Sequence, residues 1–351
     1  MKKILILQNK ILHYRKSFYN ELSIYYDVTI LHSGSKSIGH KDKYKEIITN
    51  VKQLGPFFIQ NGVLKEVNSD RYDVVISMFD LRWVNNIIAI WLHNKNIQYI
   101  GWGAWLTDSN IANKIRVYMA DKHDANIFYT YESQQDFINN GVERNKLFVA
   151  NNTFDVGERI ISYNNKNKNK ILFVGSLDKR KQNDILIKAF YNIQNQIPDE
   201  VILTILGDGE EQSNLKKLVK DLYLTNKVQF AGRITDPSML KSYYKEAIVS
   251  VSFGQAGLSV LQSLGFGVPF ITKINAISGG EITNIKNNVN GFLCEDNQQS
   301  LESYLIEICT NKQVAQQLGK GAYDYYSENC TIENMVQGFR NTIDRGRKNN
   351  G

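Results

Sequence analysis

Short apolar segments of strand length alternate with amphipathic segments of helix length along this chain, the order that builds parallel βαβ units. In the first half the apolar segments are Lys3–Leu7, Asp27–His32, Tyr72–Ser77, Gln98–Gly101, Asn126–Tyr129 and Leu147–Ala150. The stretch 163–170, YNNKNKNK, is polar, charged and without period, and reads as a linker. The alternation then starts afresh with Ile171–Val174, Val201–Leu206, Val228–Phe230, Val249–Ser252, Pro269–Ile271 and Gly291–Leu293. At 351 residues the chain is too long for one typical core. We therefore expect an α/β protein of two Rossmann-like, doubly wound parallel-sheet domains, 1–164 and 165–330, with a central cleft where ligands bind. A last segment over 331–348 carries Ile332, Met335, Val336, Phe339 and Ile343 at helical spacing. It has an apolar face to bury, and the first domain is a candidate partner.

Apolar residues make up 42% of the chain and charged residues 22%, so most of it should fold. A net charge of +7 suits nucleic acid, an anionic membrane surface or anionic substrates. Neither zinc-ligand spacing nor an aromatic RNA-binding motif accompanies the charge, which argues against nucleic acid. Cys294, Cys309 and Cys330 are odd in number and widely spaced, so they read as reduced, buried thiols of a cytoplasmic protein. The apolar runs Ile4–Leu7 and Ile87–Leu92 are too short for a leader or a membrane span. A soluble protein is expected, with peripheral contact at an anionic inner membrane face as its furthest reach toward lipid.

Ile248–Thr272, IVSVSFGQAGLSVLQSLGFGVPFIT, reads as buried strand, glycine-bearing loop, short helix near Leu258–Leu264, turn and buried strand. Gly254 and Gly257 would let backbone approach a ligand, and the first turn of the helix would offer free N–H groups to phosphate. An ordinary βαβ corner reads equally well. After the first strand of the second half comes GSLDKRK, 175–181, whose three consecutive cations suit a diphosphate or form a solvated basic turn. Arg15 and Lys16 follow the first strand of the chain and would point toward the cleft, where they could complement a phosphate. Trp102 and Trp105 bracket Gly103 and Ala104 after another strand, placed either to stack on a sugar or to fill core. Lys36, Lys41, Lys43 and Lys45 read as a basic loop. The five histidines are scattered, and neither a metal cluster nor a nucleophile–base pair is visible. Chemistry here should work by electrostatics and positioning.

Residues 171–343 resemble the retaining glycosyltransferases of family 4, a bacterial surface-polysaccharide type with the two-domain GT-B architecture. The resemblance is carried in order by GSLDKRKQNDILIKAF, LGDGEEQSNLKKL, VQFAGRITDPSMLKSYYKEAIVSVS, GLSVLQSLGFGVPFIT and NNVNGFL, with YESQQDFINNGVERNKLFVANNTFD closing the first domain. It implies transfer of a sugar from a UDP- or GDP-linked nucleotide-sugar to a glycan or lipid-linked glycan acceptor, without a cofactor and without metal. It also implies that Lys181, with Arg180, stabilises the departing diphosphate. Gly175, Ser176, Gly207, Arg233, Gly254, Gln255, Ala256, Gly257, Leu258 and Gln262 would form the donor cradle. Arg15, Lys16, Trp102 and Trp105 would face the acceptor side.

The family usually carries Glu, seven residues, then Glu around this loop, where this chain has Gly254 and Gln262. Gln262 can still hydrogen-bond ribose through its amide, and backbone N–H groups of Gln255–Leu258 would read the sugar. Glu281, after the glycine pair of ISGGEI, is the candidate substitute carboxylate. The leaving phosphate itself would take the acceptor's proton. Rival readings are a sugar-nucleotide epimerase of the same architecture and a non-catalytic nucleotide-sugar binder.

Overall fold

The structure is a computed structural model that describes residues 1–234 and 236–345. The chain forms two compact units, Met1–Asn152 with Ile332 onward, and Thr153–Thr331. The division falls at residue 152, ahead of the expected boundary near 165. YNNKNKNK is not a free linker, because it folds into the second unit. The Tyr163 ring meets Tyr323 at 5.9 Å, and the N–H groups of Asn169 and Lys170 both donate to the Glu246 carbonyl, at 3.0 and 3.1 Å.

The first unit holds β1 (Lys3–Leu7), β2 (Asp27–His32), β3 (Lys45–Ile48), β4 (Val51–Leu54), β5 (Phe57–Gln60), β6 (Val74–Met78), β7 (Gln98–Trp102), β8 (Ala125–Phe128) and β9 (Leu147–Val149). Seven of these make one sheet in the order β3-β2-β1-β6-β7-β8-β9, parallel throughout, while β4 and β5 form an antiparallel hairpin. Strand β3 and the hairpin were not legible in the sequence. Lys45, expected in a solvated loop, instead sits on this edge strand with its ammonium 2.7 Å from Asp27. A charged, short edge strand discourages pairing with other chains.

The helix Ile332–Asp344 buries Met335, Val336, Phe339 and Ile343 in the core of this first unit, against Phe18 and Trp102 among others. Residues 346–348 of the helix expected over 331–348 lie outside the described residues.

The second unit holds β10 (Lys170–Val174), β11 (Ile202–Leu206), β12 (Val228–Gly232), β13 (Ala247–Val251), β14 (Phe270–Lys273) and β15 (Gly291–Cys294). Their order is β12-β11-β10-β13-β14-β15, again all parallel. Alternate residues serve opposite faces. Ile171 and Phe173 of β10 join one apolar cluster, and Leu172 joins another. Both faces of the sheet are thus covered, which is why its strands read as nearly unbroken apolar runs. Each fully buried Leu, Ile or Phe stabilises the fold by about 1.5–3 kcal/mol relative to an exposed one. The strand order reverses between β10 and β13, and in open α/β sheets ligands bind at the carboxyl ends flanking such a switch point.

Candidate active site

Three loops leave the carboxyl ends of β10, β11 and β13, and glycines let them touch. The Gly175 N–H donates to the Leu206 carbonyl at 3.0 Å, and the Gly207 N–H donates to the Gly232 carbonyl at 2.8 Å. A Cβ at Gly207 would sit 1.8 Å from the Gly175 carbonyl oxygen, so no side chain fits there. At Gly175 a Cβ would meet the Lys181 Cε at 3.6 Å, which places the Lys181 stem beside this turn.

Lys181 ends a short 3-10 turn, Lys179–Lys181, capped by the Asp178 carboxylate, which accepts the Arg180 N–H at 3.1 Å. Its side chain is 8% exposed, and among the described residues its ammonium has no hydrogen bond or ion pair. Burial pulls its pKa below the ordinary lysine value; Asp178 and Glu281 oppose that pull, and Arg180 adds to it. A lysine buried along its stem, with its ammonium left unpaired beyond a strand's carboxyl end, is a site prepared for an anion.

Arg180 goes elsewhere. Its guanidinium is exposed and engages Asp178 through Nε at 3.3 Å and Nη2 at 3.2 Å. Ser176 is also exposed, and its hydroxyl donates to Asp178 at 2.7 Å. The basic run therefore divides into an inward lysine and an outward, neutralised arginine.

The Gly254 N–H donates to the Lys181 carbonyl at 3.2 Å, joining the loop after β13 to the cationic turn. Gln182 follows in left-handed backbone, φ 54°, and its side chain lies over Gly254. The Ala256 N–H is taken by the Ile277 carbonyl at 2.9 Å, so it cannot serve a ligand as expected. Among the described residues the N–H groups of Gln255, Gly257 and Leu258 carry no such bond. A Cβ at Gly257 would meet nothing within 4 Å, so this part of the loop borders open space. The helix runs Ser259–Gly265, one residue later than expected, with Leu258 at its N-cap.

Gln262 is buried on that helix, and its Oε1 accepts the Tyr244 hydroxyl at 3.2 Å, leaving only the amide nitrogen to donate. Arg233 is exposed just beyond β12. Glu281 begins a 3-10 turn after Gly280, whose φ of 114° suits glycine. Its carboxylate is 8% exposed and accepts the Gly279 N–H at 3.1 Å. Its influence on Lys181 puts the two in one electrostatic neighbourhood. The structure thus brings together Gly175, Lys181, Gly207 and Gly254, and the Ile277 N–H, donating to the Gly254 carbonyl at 3.0 Å, ties the segment that leads to Glu281 to the same loop.

Sequence reasoning missed Gln182 and Asn183. The Gln182 Oε1 and both polar atoms of the Asn183 side chain are buried without partners among the described residues. Nothing in KRKQND marks them; the burial of the Gln182 amide follows from Gly254 packing onto the turn.

The expected acceptor-side residues belong to the first unit and are largely spoken for. The Arg15 guanidinium is buried, donates to the Tyr129 hydroxyl at 2.9 Å and lies over the Trp102 ring at 5.2 Å. Lys16 pairs with Asp42 at 2.9 Å and donates to the Ser37 carbonyl at 2.8 Å. Trp102 is core, 3% exposed against Phe18 and Phe339, with no face for a sugar, whereas Trp105 is 52% exposed.

Residues 158–325 match the family model of group 1 glycosyl transferases. An uncharacterised glycosyltransferase of Haemophilus influenzae is 27% identical over 73% of this chain and 72% of its own length. The UDP-Gal:alpha-D-GlcNAc-diphosphoundecaprenol alpha-1,3-galactosyltransferase of Escherichia coli is 28% identical over 58% of this chain and 49% of its own. Several other curated relatives match over less than half of their own length. Among solved structures, Anabaena HepE in complex with UDP superposes with a TM-score of 0.76 over 99% of this chain and 100% of its own, at 19% identity. That likeness shows the fold, two parallel-sheet α/β domains of the GT-B type.

Proposed function

We propose, for a chain whose family match and relatives are those of glycosyltransferases, a retaining transfer of a sugar from a UDP- or GDP-linked donor to a glycan or lipid-linked glycan acceptor, in the synthesis of cell-surface polysaccharide. The observation that carries this reading is the largely buried Lys181, its ammonium unpaired among the described residues, beside the glycine turns at the β10/β13 switch point. In it the bond from the anomeric carbon to the donor phosphate breaks, and negative charge grows on the leaving phosphate oxygen. Lys181 and the N–H groups of Gly257 and Leu258 stabilise that charge. The acceptor oxygen bonds to the anomeric carbon on the face that the phosphate leaves and gives its proton to the departing phosphate oxygen, so configuration is kept and no separate base is needed. Glu281 orients the sugar hydroxyls, and Gln262 donates to the ribose. Arg180 acts at longer range because Asp178 already holds it. With a fixed cation at the diphosphate, no metal is required.

The named acceptor of the Escherichia coli relative is a GlcNAc carried on a lipid diphosphate, which supports a lipid-linked glycan acceptor here. We extend the reading to a cytoplasmic enzyme resting on an anionic membrane face. The helix Asn110–Lys122 exposes Ile111, Ile115 and Tyr118 beside Lys114 and Lys122. Co-sedimentation with phosphatidylglycerol vesicles that is lost in Ile111→Ser/Ile115→Ser supports this placement, and binding unchanged by the double substitution removes it.

Calorimetric titration of UDP, GDP, ADP and CMP in the presence of EDTA tests the site. One nucleotide should bind, and Lys181→Ala should weaken it by about 1.5–3 kcal/mol, as for a hydrogen bond to a charged group. Glu281→Ala should spare the nucleotide and lower transfer. If the mutant binds as tightly as wild type, the cradle is misplaced. Donor hydrolysis or transfer then separates an enzyme from a binder, and product configuration tests retention.

A further inference from the structure

Gln182 joins the cationic turn to the helix Asn183–Ile193 in a backbone conformation that a long side chain disfavours. Its φ of 54° and ψ of 43° are left-handed, a region natural to glycine and reached less readily by other residues. It stands at the N-cap of that helix without a side-chain hydrogen bond to it, so capping does not account for a glutamine here. Glycine would hold the same turn without strain. Strain kept beside a binding site points to what the side chain does there.

That side chain crosses onto the loop after β13. Its Cγ and Oε1 lie 2.8 and 2.9 Å from where a Cβ on Gly254 would stand, so the bare backbone at 254 is what makes room for it. Oε1 is shut off from water against this loop, whereas Nε2 keeps surface open to solvent and makes no hydrogen bond among the described residues. Lys181, one residue earlier, runs the other way, with its Cε beside Gly175. Two consecutive residues thus divide the switch point: a cation toward the end of β10 and a neutral N–H donor on the loop after β13. The bond from the Ile277 N–H to the Gly254 carbonyl makes that loop continuous with the segment leading to Glu281. An ionised carboxylate only accepts hydrogen bonds and an amide nitrogen only donates, so together they suit hydroxyl groups, which do both. The charge of a diphosphate is met by Lys181 and needs no neutral amide.

We propose that Gln182 reads the sugar of the donor: its Nε2 donates to a hydroxyl of the transferred sugar, on the side of the loop that leads to Glu281. This rests on the transferase reading of the same site and adds to it a contact that selects among sugars.

UDP and GDP, and the conjugates UDP-glucose, UDP-galactose, UDP-N-acetylglucosamine and GDP-mannose, are titrated into the wild-type chain, Gln182→Gly and Gln182→Met. The nucleotide that binds should weaken less than about twofold in either variant, whereas its best-bound sugar conjugate should weaken at least about fivefold. Gln182→Gly should unfold at the wild-type temperature or above it, because glycine removes the left-handed strain. Sugar affinity lost without loss of stability is a result that a packing role does not give. Equal weakening of nucleotide and conjugate would make Gln182 a support for Lys181 and overturn the proposal. So would unchanged affinity for both, or a wild-type chain that binds a nucleotide and none of its conjugates. If neither nucleotide binds the wild type, the donor reading itself fails and takes this one with it.

Discussion

Gly254 shows how one residue without a side chain can redirect a site. The resemblance puts a glutamate at this position, yet a Cβ here would lie 2.2 Å from the Arg180 carbonyl oxygen and 2.8 Å from the Gln182 Cγ. The first of these is backbone and cannot swing aside. The loop after β13 has closed onto the cationic turn, and the bond from the Gly254 N–H to the Lys181 carbonyl holds it there. Gly254→Glu is therefore not a restoration. It should cost at least about 1–3 kcal/mol of stability through overpacking, and it should weaken nucleotide binding by displacing Lys181. Chemical denaturation and the same calorimetry read both effects. A more active Gly254→Glu enzyme of unchanged stability would show that the loop has room and that Glu281 does not stand in for the missing carboxylate.

At the scale of elements, the alternation of period made most of the sheet strands legible, because a parallel strand covered on both faces is a run of apolar residues with no competing pattern. Strand β3 was not legible. Its four residues, KEII, are half polar, and it forms only because β2 offers an unpaired edge. The hairpin β4–β5 hid for a similar reason, with Val51–Leu54 exposed throughout. In the site, Lys181 and the glycine turns were legible from the cationic run and the G-rich corners. The outward turn of Arg180 was not, since it depends on Asp178 being both helix cap and ion-pair partner. Likewise the sequence could not say that Trp102 would be walled in by a helix more than two hundred residues later.

That C-terminal helix, Ile332–Asp344, returns to complete the core of the first unit, with the Phe339 ring 4.7 Å from Phe18 and 5.0 Å from Trp102. Phe339→Ala should destabilise this unit by about 3–5 kcal/mol, the usual cost of an aromatic cavity. All four tryptophans lie in this unit, at 83, 91, 102 and 105, so their fluorescence follows its unfolding alone. A shift of less than 1 kcal/mol in the fluorescence-detected transition would mean that the helix is an ornament to that core.

Across the whole molecule, the two units should answer pH in opposite ranges, because each buries a base of a different kind. In the first, His123 is sealed under Tyr99 and Phe79 and hydrogen-bonds Asn126 Oδ1 at 2.8 Å. The Asn126 amide nitrogen donates to the Ala120 carbonyl at 2.8 Å, so its oxygen faces the ring and the histidine is neutral with its proton on Nδ1. Burial pushes this histidine down from 6.5 to about 4. Between those values the unfolded chain binds a proton that the folded chain refuses, so stability falls as pH drops from 6.5 toward 4. In the second unit, burial lowers Lys168, whose Nζ has no hydrogen-bond partner among the described residues, from 10.5 to about 8. There the unfolded chain again holds the extra proton, so stability rises as pH climbs from 8 toward 10.5. Each group contributes at most about 3.5 kcal/mol, at 1.36 kcal/mol per pKa unit. Denaturation followed by tryptophan fluorescence should show the acid loss, flattened in His123→Gln. Calorimetry should show the alkaline gain, absent in Lys168→Met, which should already be the more stable form at pH 7. A wild-type curve flat from pH 8 to 10.5 would mean that Lys168 is hydrated in solution, and the partner it lacks would then be water.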